Sequence, residues 1–226
     1  MALDRAIPQA ANGTPRRFVL REGAVLCRVH DCAYGATGFD PTLAPASGLG
    51  GGRFDATEED RYGFLYAAGD EGTAVAETLL RGALWNDTGA RHLPRRFVRG
   101  PCMSWIEPTR DLELVALRIG ADLAALAQDS WLVTAPPSEN ANTRRWGHAI
   151  RRWAPWAAGF AWRSRAEPSG NAYVFFEDRV GGGAFRVREH APLAQSANRL
   201  DEGIGALLLR RILEEYRVVI GARPDS

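Results

Sequence analysis

Residues 64–82 read FLYAAGDEGTAVAETLLRG, and this stretch decides how we expect the chain to fold. Its opening FLYAA is the short apolar run of a buried strand. Asp70 is a typical N-cap residue, and Gly82 is suited to end the helix that follows. Three side chains share one face of that helix at spacings i, i+3 and i+7, namely Ala74, Glu77 and Arg81. A strand therefore passes directly into a helix that carries a carboxylate and a guanidinium side by side.

Outward from this unit, strand and helix patterns alternate without a regular βαβ rhythm. Apolar runs predict strands at 18–30 (interrupted at Glu22-Gly23), 112–119, 131–134 and 173–176. Helical periodicity predicts helices at 121–128, 143–153 and 201–216. The last of these is capped by Asp201 and is expected to face the core with Ile204, Leu207, Leu208 and Ile212.

No repeat and no linker divides the chain, so one domain is expected. We predict an α+β fold over 18–226, with mixed central β-sheets and flanking helices. Residues 1–17 carry Pro, Gln, Asn and Gly and are expected to form a loose N-terminal arm.

The composition excludes several classes of protein. The 226 residues carry a net charge of +1, and every one of the 28 basic residues is Arg. Without lysine there is no Schiff base and no Walker phosphate lysine, which excludes pyridoxal enzymes, P-loop hydrolases and protein kinases. The near-neutral charge also argues against a protein whose main task is direct binding of nucleic acid.

The three cysteines predict neither a disulfide framework nor a metal site. Their sparse, odd number favours a reducing cytoplasm. Cys27, His30 and Cys32 lie close together, but in an extended segment Cys27 points away from the other two, and no further ligand pair follows. The longest weakly apolar stretch, 154–162, is too short to span a bilayer. We therefore expect a cytoplasmic protein without metal or membrane segment.

Two arginine-bearing segments have both a structural and a functional interpretation. The Gly- and Pro-rich residues 34–52 predict a flexible loop, yet they end at Arg53, where glycines allow a guanidinium to approach an anion closely. The helix at 143–153 is predicted to have a solvated basic face, with a partner or nucleic-acid surface as the alternative; this face carries Arg144, Arg145, Arg151 and Arg152. Glu77 itself is, on periodicity alone, either a surface carboxylate or a functional one.

Taken in order, several motifs resemble the RES family, named for its Arg, Glu and Ser residues. The matching motifs are Arg28-Val29-His30, Gly52-Arg53-Phe54-Asp55, Leu65-Tyr66-Ala67-Ala68, Ala74-Val75-Ala76-Glu77, Gly159-Phe160-Ala161-Trp162-Arg163-Ser164 and Val174-Phe175-Phe176. The sequence departs from the family where Phe54-Asp55 stands for the more common Trp-Asn and where Trp162 stands for Tyr. Ser169 lies close to Ser164, but the spacing to Trp162 favours Ser164 as the family serine.

The resemblance implies an ADP-ribosyltransferase-like fold and a cytoplasmic toxin that uses NAD⁺ as substrate and is held by an Xre-like antitoxin. It implies binding of NAD⁺ by Arg28, Arg53, Tyr66 and Ser164, and catalysis by Glu77, Arg53 and Ser164. The residue types fit this chemistry. Guanidinium forks suit a pyrophosphate, an aromatic ring suits nicotinamide, and a carboxylate stabilises the oxocarbenium character that develops at the ribose.

Three functions stay open on the sequence. The first is breakdown of NAD⁺ by phosphorolysis or hydrolysis. The second is ADP-ribosylation of a protein acceptor. The third is a non-enzymatic or RNA-directed binding module that uses the arginine-rich helix. The first two share one site and differ only in whether phosphate, water or a side chain accepts ADP-ribose. Neither the acceptor nor the oligomeric state follows from the sequence.

Overall fold

The computed structural model describes residues 6–9, 13–45, 50–188 and 197–221. The strands are β1 (Arg17–Leu20), β2 (Leu26–Asp31), β3 (Phe64–Ala68), β4 (Arg91–Pro94), β5 (Pro101–Pro108), β6 (Leu112–Leu117), β7 (Gly159–Arg163), β8 (Asn171–Phe176), β9 (Phe185–Val187), β10 (Asn198–Arg199) and β11 (Val218–Gly221). The α-helices are α1 (Glu71–Leu79), α2 (Gly120–Ala124), α3 (Trp131–Thr134), α4 (Asn140–Trp153), α5 (Glu177–Val180) and α6 (Gly203–Glu215). Short 3₁₀ turns cover Arg95–Phe97 and Pro137–Glu139.

Within these ranges, most strands join one mixed sheet in the order β1-β6-β7-β8-β3-β2-β5-β10, and β9 pairs with β5. Neighbours are antiparallel except β6 and β7, whose parallel pairing requires the long crossover that contains α2, α3 and α4. A second small sheet pairs β4 with β11. The predicted α+β fold with a mixed sheet and flanking helices is confirmed. No helix in the described ranges is both long and apolar enough to cross a membrane.

Alternation along the strands divides the core between the two faces of the large sheet. On β8, Tyr173 and Phe175 belong to one cluster and Val174 and Phe176 to another, as the period of two requires. The face that carries Val174 holds two separate clusters, one packed under α4 and one packed under α1 and α6. The boundary between these two clusters runs along β3.

The main sheet is nearly open at that boundary. Strands β2 and β3 are neighbours, yet their register contains only the pair Cys27 and Ala68. By contrast, β3 is fully paired with β8 and β2 with β5. The two strands diverge beyond Cys27 and Ala68 and leave a gap in the sheet, which becomes important below.

The structure corrects two predicted elements. Residues 131–134 form helix α3 and not a strand, because the predicted strand rested on a short apolar run that fits either structure. Helix α6 begins at Gly203 after Glu202, and its buried residues are Gly205, Leu209, Ile212 and Leu213. Ile204 and Leu207 are exposed, so the apolar face of this helix is rotated from the predicted one.

The described part of the N-terminal arm lies against the domain. Ile7 packs on the core cluster under α4. The carbonyl of Arg16 accepts a hydrogen bond of 2.8 Å from the amide of Ala116 on β6. These residues are therefore in contact with the domain, where the sequence suggested a loose segment.

A disulfide joins Cys32 to Cys102, whereas the sequence suggested that the cysteines are free. The strand register brings them together. Strand β2 pairs with β5 so that His30 lies opposite Cys102, and Cys32 is the first residue after the end of β2. The two residues are 70 positions apart, and a pairing across that distance is not visible in cysteine count or spacing. Cys27 is buried and free.

We expect thiol titration of the unreduced, denatured protein to give a single reactive group, from Cys27. Reduction should then expose all three thiols and lower the free energy of unfolding by roughly 4 kcal/mol, because a cross-link over such a loop restricts the unfolded chain. The Cys27→Ser variant is the control, with no reactive thiol before reduction and unchanged stability loss after it. Three thiols in the unreduced protein would contradict the pairing.

Candidate active site

Helix α1 presents Glu77 at a buried position. Asp70 caps the helix by accepting a hydrogen bond of 2.7 Å from the Thr73 amide, as predicted. The next turn buries Ala74, Val75 and Ala76 against the core, so the helix lies tightly on the sheet. Glu77 follows on this helix with only 11% of its side chain exposed. Glu77 is therefore not a solvent-exposed surface carboxylate, and this favours the functional interpretation of the residue.

The Glu77 carboxylate is paired on both oxygens. Its Oε1 accepts hydrogen bonds from the Ser164 hydroxyl at 2.7 Å and from the Arg165 amide at 3.1 Å. Its Oε2 lies 3.2 Å from Arg81 Nη2 and 3.8 Å from Arg53 Nη1. The glutamate, arginine and serine motifs, far apart in the chain, therefore meet at one point.

The charges around Glu77 keep it ionised. Burial raises the pKa of Glu77, but the Arg81 charge, the Ser164 hydroxyl and the Arg53 charge together outweigh burial and hold the pKa below its usual value. Burial, reinforced by the neighbouring Arg81 charge, lowers the pKa of Arg53 to about 10, so its guanidinium is still charged at neutral pH. The site is a buried carboxylate held between two cations.

Ser164 supports Glu77 from behind. It is buried, follows directly on β7, and its hydroxyl donates to Glu77 while accepting from the amides of Ala166 and Glu167. Ser169 instead hydrogen-bonds Glu167. The geometry favours Ser164 as the family serine. Its hydroxyl proton is committed to the carboxylate, while the expected contact with nicotinamide or ribose stays a prediction.

A cavity of about 230 Å³, here called the Tyr66 cavity, occupies the gap between β2 and β3. Its wall includes both diverging strands and is mostly apolar; it is lined by Cys27, Arg28, Val29, Gly52, Asp55, Phe64, Tyr66, Ala67, Ala68, Ala74, Glu77, Thr78, Arg81, Trp162 and Ala172. Trp162 in this wall has a buried indole N–H without a hydrogen-bond partner. A water molecule or a ligand atom with a lone pair satisfies such a donor.

Tyr66 lines this cavity but is also fixed within the protein. Its hydroxyl donates to Asp55 at 2.9 Å and accepts from the Phe54 amide at 2.9 Å. Its ring meets Trp162 edge to face. Burial raises the pKa of the Tyr66 phenol well above its ordinary value, so it stays a neutral donor. The ring is therefore a rigid part of the wall.

A second cavity of about 320 Å³, here called the Arg53 cavity, lies on the other side of Glu77. Its lining residues are Arg53, Glu77, Leu80, Arg81, Ala83, Leu84, Trp85, Arg91, Ala135, Pro137, Asn140, Arg165 and Ala166. Glu77 and Arg81 line both cavities, so the two spaces meet at the carboxylate. Pockets for ligands usually measure roughly 300–1,000 Å³, so each space alone lies near or below the lower end of that range.

The predicted anion-binding arginines are not placed together. Arg28 lines the Tyr66 cavity and Arg53 lines the Arg53 cavity, and neither cavity contains both. Arg28 Nη1 donates to the carbonyls of Ala36 and Gly38, which leaves its Nε without a partner. Burial lowers the pKa of Arg28 to about 10. The structure thus gives Arg28 a second task, which is to hold residues 36–38.

Helix α4 fixes the glycine-rich loop that carries Arg53. Arg144 donates to the carbonyls of Pro45 at 2.8 Å, Gly50 at 2.8 Å and Gly52 at 3.2 Å. One turn earlier, Asn140 donates to the Gly51 carbonyl at 2.7 Å. The described part of this loop is therefore held by hydrogen bonds, contrary to the expected flexibility, while 46–49 lie outside the described residues.

The expected solvated basic face of α4 is wrong for half of its arginines. Arg144 and Arg151 are buried, whereas Arg145 and Arg152 are exposed. Arg151 forms ion pairs with Asp60 and Asp178, both at 2.9 Å. Spacing gave no signal here, because the exposed pair is also seven residues apart; the burial of Arg144 and Arg151 depends on their partners in distant segments.

No cluster of three or more His, Cys, Asp or Glu suited to a metal ion occurs among the residues with described positions. His30 instead hydrogen-bonds Ser104 at 2.8 Å. Burial, helped by the nearby Arg28 charge, lowers the pKa of His30 to about 4, which keeps it neutral.

Comparison with known proteins gives this chain a family and a similar fold. The sequence matches the RES domain family over residues 25–196, which is most of the chain. The fold is similar to that in the crystal structure of the M. tuberculosis MbcT–MbcA toxin–antitoxin complex, with a TM-score of 0.51 and 16% identity. The match covers 75% of this chain and 84% of the other. No curated protein matches the sequence.

We expect the Arg144→Met variant to lose at least about 2 kcal/mol of unfolding free energy, because hydrogen bonds from a charged donor each contribute about 1.5–3 kcal/mol and their carbonyl acceptors are left unpaired. Urea denaturation measures this loss. Arg145→Met, at the exposed neighbouring position, is the matched control and should change stability by less than about 0.5 kcal/mol. Equal stability of both variants would show that the loop does not depend on Arg144.

Proposed function

The chain belongs to the RES-domain family, and from this membership we propose that it is a toxin that breaks the nicotinamide–ribose bond of NAD⁺. The observation that carries the proposal is the buried, ionised Glu77 at the junction of two cavities. A carboxylate so placed lies beside the part of a ligand that passes from one space to the other. With nicotinamide in one space and the phosphates in the other, that part of NAD⁺ is the bond between nicotinamide and ribose.

The chemistry needs little from the protein beyond electrostatics. As the bond breaks, its electron pair moves to the nicotinamide nitrogen, and nicotinamide leaves as a neutral molecule that needs no general acid. Positive charge develops on the ribose, and the Glu77 carboxylate stabilises it. An acceptor oxygen then bonds to the same ribose carbon and releases its proton to solvent. With inorganic phosphate as acceptor the product is ADP-ribose that carries an added phosphate on this carbon, a sugar phosphate. With water as acceptor the product is free ADP-ribose.

The other side chains have supporting roles in this proposal. Ser164 orients the carboxylate through its 2.7 Å hydrogen bond. Arg53 and Arg81 keep Glu77 ionised and offer guanidinium groups to phosphate. Tyr66 provides a rigid aromatic wall, and the unpartnered Trp162 indole N–H suits the carboxamide oxygen of nicotinamide. Arg28, in the same cavity, offers its free Nε.

We expect Glu77→Gln to lower the rate of NAD⁺ consumption at least about 100-fold, since the substitution keeps the size and removes the charge that stabilises the transition state. The assay incubates purified protein with NAD⁺, with and without phosphate, and identifies the products. The exposed Glu215→Gln is the matched control and should keep full activity.

The products decide between the possible acceptors. A sugar phosphate formed only with phosphate indicates phosphorolysis, and free ADP-ribose indicates hydrolysis. ADP-ribose recovered only on protein would favour the alternative, a protein ADP-ribosyltransferase. Full activity of Glu77→Gln would contradict the proposed role of the carboxylate, and an NAD⁺ concentration unaffected by the wild-type protein would contradict the function itself.

The expected partner is an Xre-like antitoxin, and we propose that it occupies the NAD⁺ site. The M. tuberculosis neighbour is crystallised as a toxin–antitoxin complex. In this chain, two buried nitrogens of the Arg53 guanidinium, Nε and Nη1, lack a hydrogen bond and suit a carboxylate of an inserted segment. An antitoxin that pairs with Arg53 would exclude the substrate.

We expect antitoxin and NAD⁺ to compete. The apparent affinity of the antitoxin, measured by calorimetry, should fall as a non-cleavable NAD⁺ analogue is added, because both ligands need the same guanidinium. Arg53→Ala should weaken antitoxin binding by about 2–5 kcal/mol, whereas the exposed Arg152→Ala should leave it unchanged. Antitoxin affinity that is independent of saturating analogue would place the inhibitory contact elsewhere.

A further inference from the structure

The Arg53 cavity has a strongly cationic wall. Four guanidinium groups line it, from Arg53, Arg81, Arg91 and Arg165, against the single carboxylate of Glu77. The Tyr66 cavity, by contrast, is mostly apolar. The two spaces therefore differ in the kind of ligand group that each can accept, although they meet at the same carboxylate.

Several of these guanidinium groups have buried nitrogens without a hydrogen-bond partner. They are Nε and Nη1 of Arg53, Nε of Arg81 and Nε of Arg91. Arg53 is 4% exposed, and its Nη1 lies 3.8 Å from Glu77, beyond hydrogen-bond distance. Leaving a buried charged donor unpaired is costly, and convergent unpaired donors indicate a missing anion with several acceptor oxygens. A phosphate group meets this requirement.

An aromatic ring stands beside these donors. The Arg91 guanidinium lies 4.2 Å from the centroid of the Trp85 ring, and a backbone bridge joins the same two residues. Trp85 is nevertheless 56% exposed and the adjacent Leu84 is 80% exposed. A large aromatic side chain held by its neighbour but still open to solvent is suited to receive a second flat, apolar surface such as a purine.

We propose that the Arg53 cavity binds the nucleoside diphosphate part of the substrate, with phosphate on Arg53, Arg81 and Arg91 and the purine on Trp85. This inference rests on the proposed function and specifies the orientation in which the dinucleotide binds. Nicotinamide enters the Tyr66 cavity, Glu77 faces the ribose between the two spaces, and the adenosine end lies towards Trp85. The Trp85–Arg91 pair then determines specificity for a dinucleotide over a mononucleotide.

Nicotinamide mononucleotide provides the test, because it contains the same bond to be broken and lacks the adenosine phosphate. Trp85→Leu and Arg91→Gln should each raise KM for NAD⁺ at least about 10-fold, the effect of losing a base–aromatic stack, with little change in kcat. Trp85→Leu should not alter kcat/KM for the mononucleotide, which has no purine, and Arg91→Gln should lower it less than it lowers kcat/KM for NAD⁺. The matched control is Trp156→Leu, which removes a similar arginine–tryptophan stack with Arg17 that lies in neither cavity.

Other outcomes would overturn the proposal. Equal losses with both substrates would mean that the pair supports the fold or the bond cleavage. A raised KM for inorganic phosphate with an unchanged KM for NAD⁺ would make the cavity the acceptor site. Unchanged kinetics would remove the pair from the site altogether.

A wild-type protein without activity on NAD⁺ would end the proposed function but not this test. Calorimetry with ADP measures the cavity on its own: weaker binding by Trp85→Leu and Arg91→Gln than by wild type supports a nucleotide site. Absence of ADP binding to the wild-type protein would overturn it.

Discussion

A carboxylate that is removed from water must be paired, and the arrangement of this site follows from pairing Glu77. Helix α1 buries the residue, which by itself raises its pKa and favours the neutral form. Arg81 arrives from the same segment, Arg53 from the glycine-rich loop and Ser164 from the end of β7. Three segments that are far apart in the sequence thus meet at Glu77, and their contacts stabilise its negative charge.

Holding Arg53 in place requires a second set of interactions, which act on backbone carbonyls. Arg144 and Asn140 from α4 bind the loop on one side, and Arg28 from β2 binds residues 36–38 on the other. In a chain without lysine, arginine does this work with several donors fixed in one plane, so one side chain can hold two or three carbonyls at once. The loop has little regular structure and is ordered from outside.

The sequence predicted the parts of this structure that depend on local pattern. The capped helix after β3 and the strands around it follow from periodicity and turn residues, whereas the approach of Glu77, Arg53 and Ser164 was implied by the resemblance to the RES family. The sequence did not predict the Cys32–Cys102 pairing or the burial of Arg144 and Arg151, because those depend on register and packing between distant segments. The predicted buried face of α6 was wrong for a related reason. A run of leucines makes several faces of the helix equally apolar, so the pattern does not select one of them.

The gap between β2 and β3 lowers the stability of the fold but is required for the proposed activity. Closing it would add ladder hydrogen bonds and bring the two core clusters on that face into one, both of which favour the folded state. The same change would eliminate the Tyr66 cavity. Selection for stability and selection for the site therefore act in opposite directions on this pair of strands. Variants that are stabilised by closer pairing of β2 and β3 are expected to be inactive.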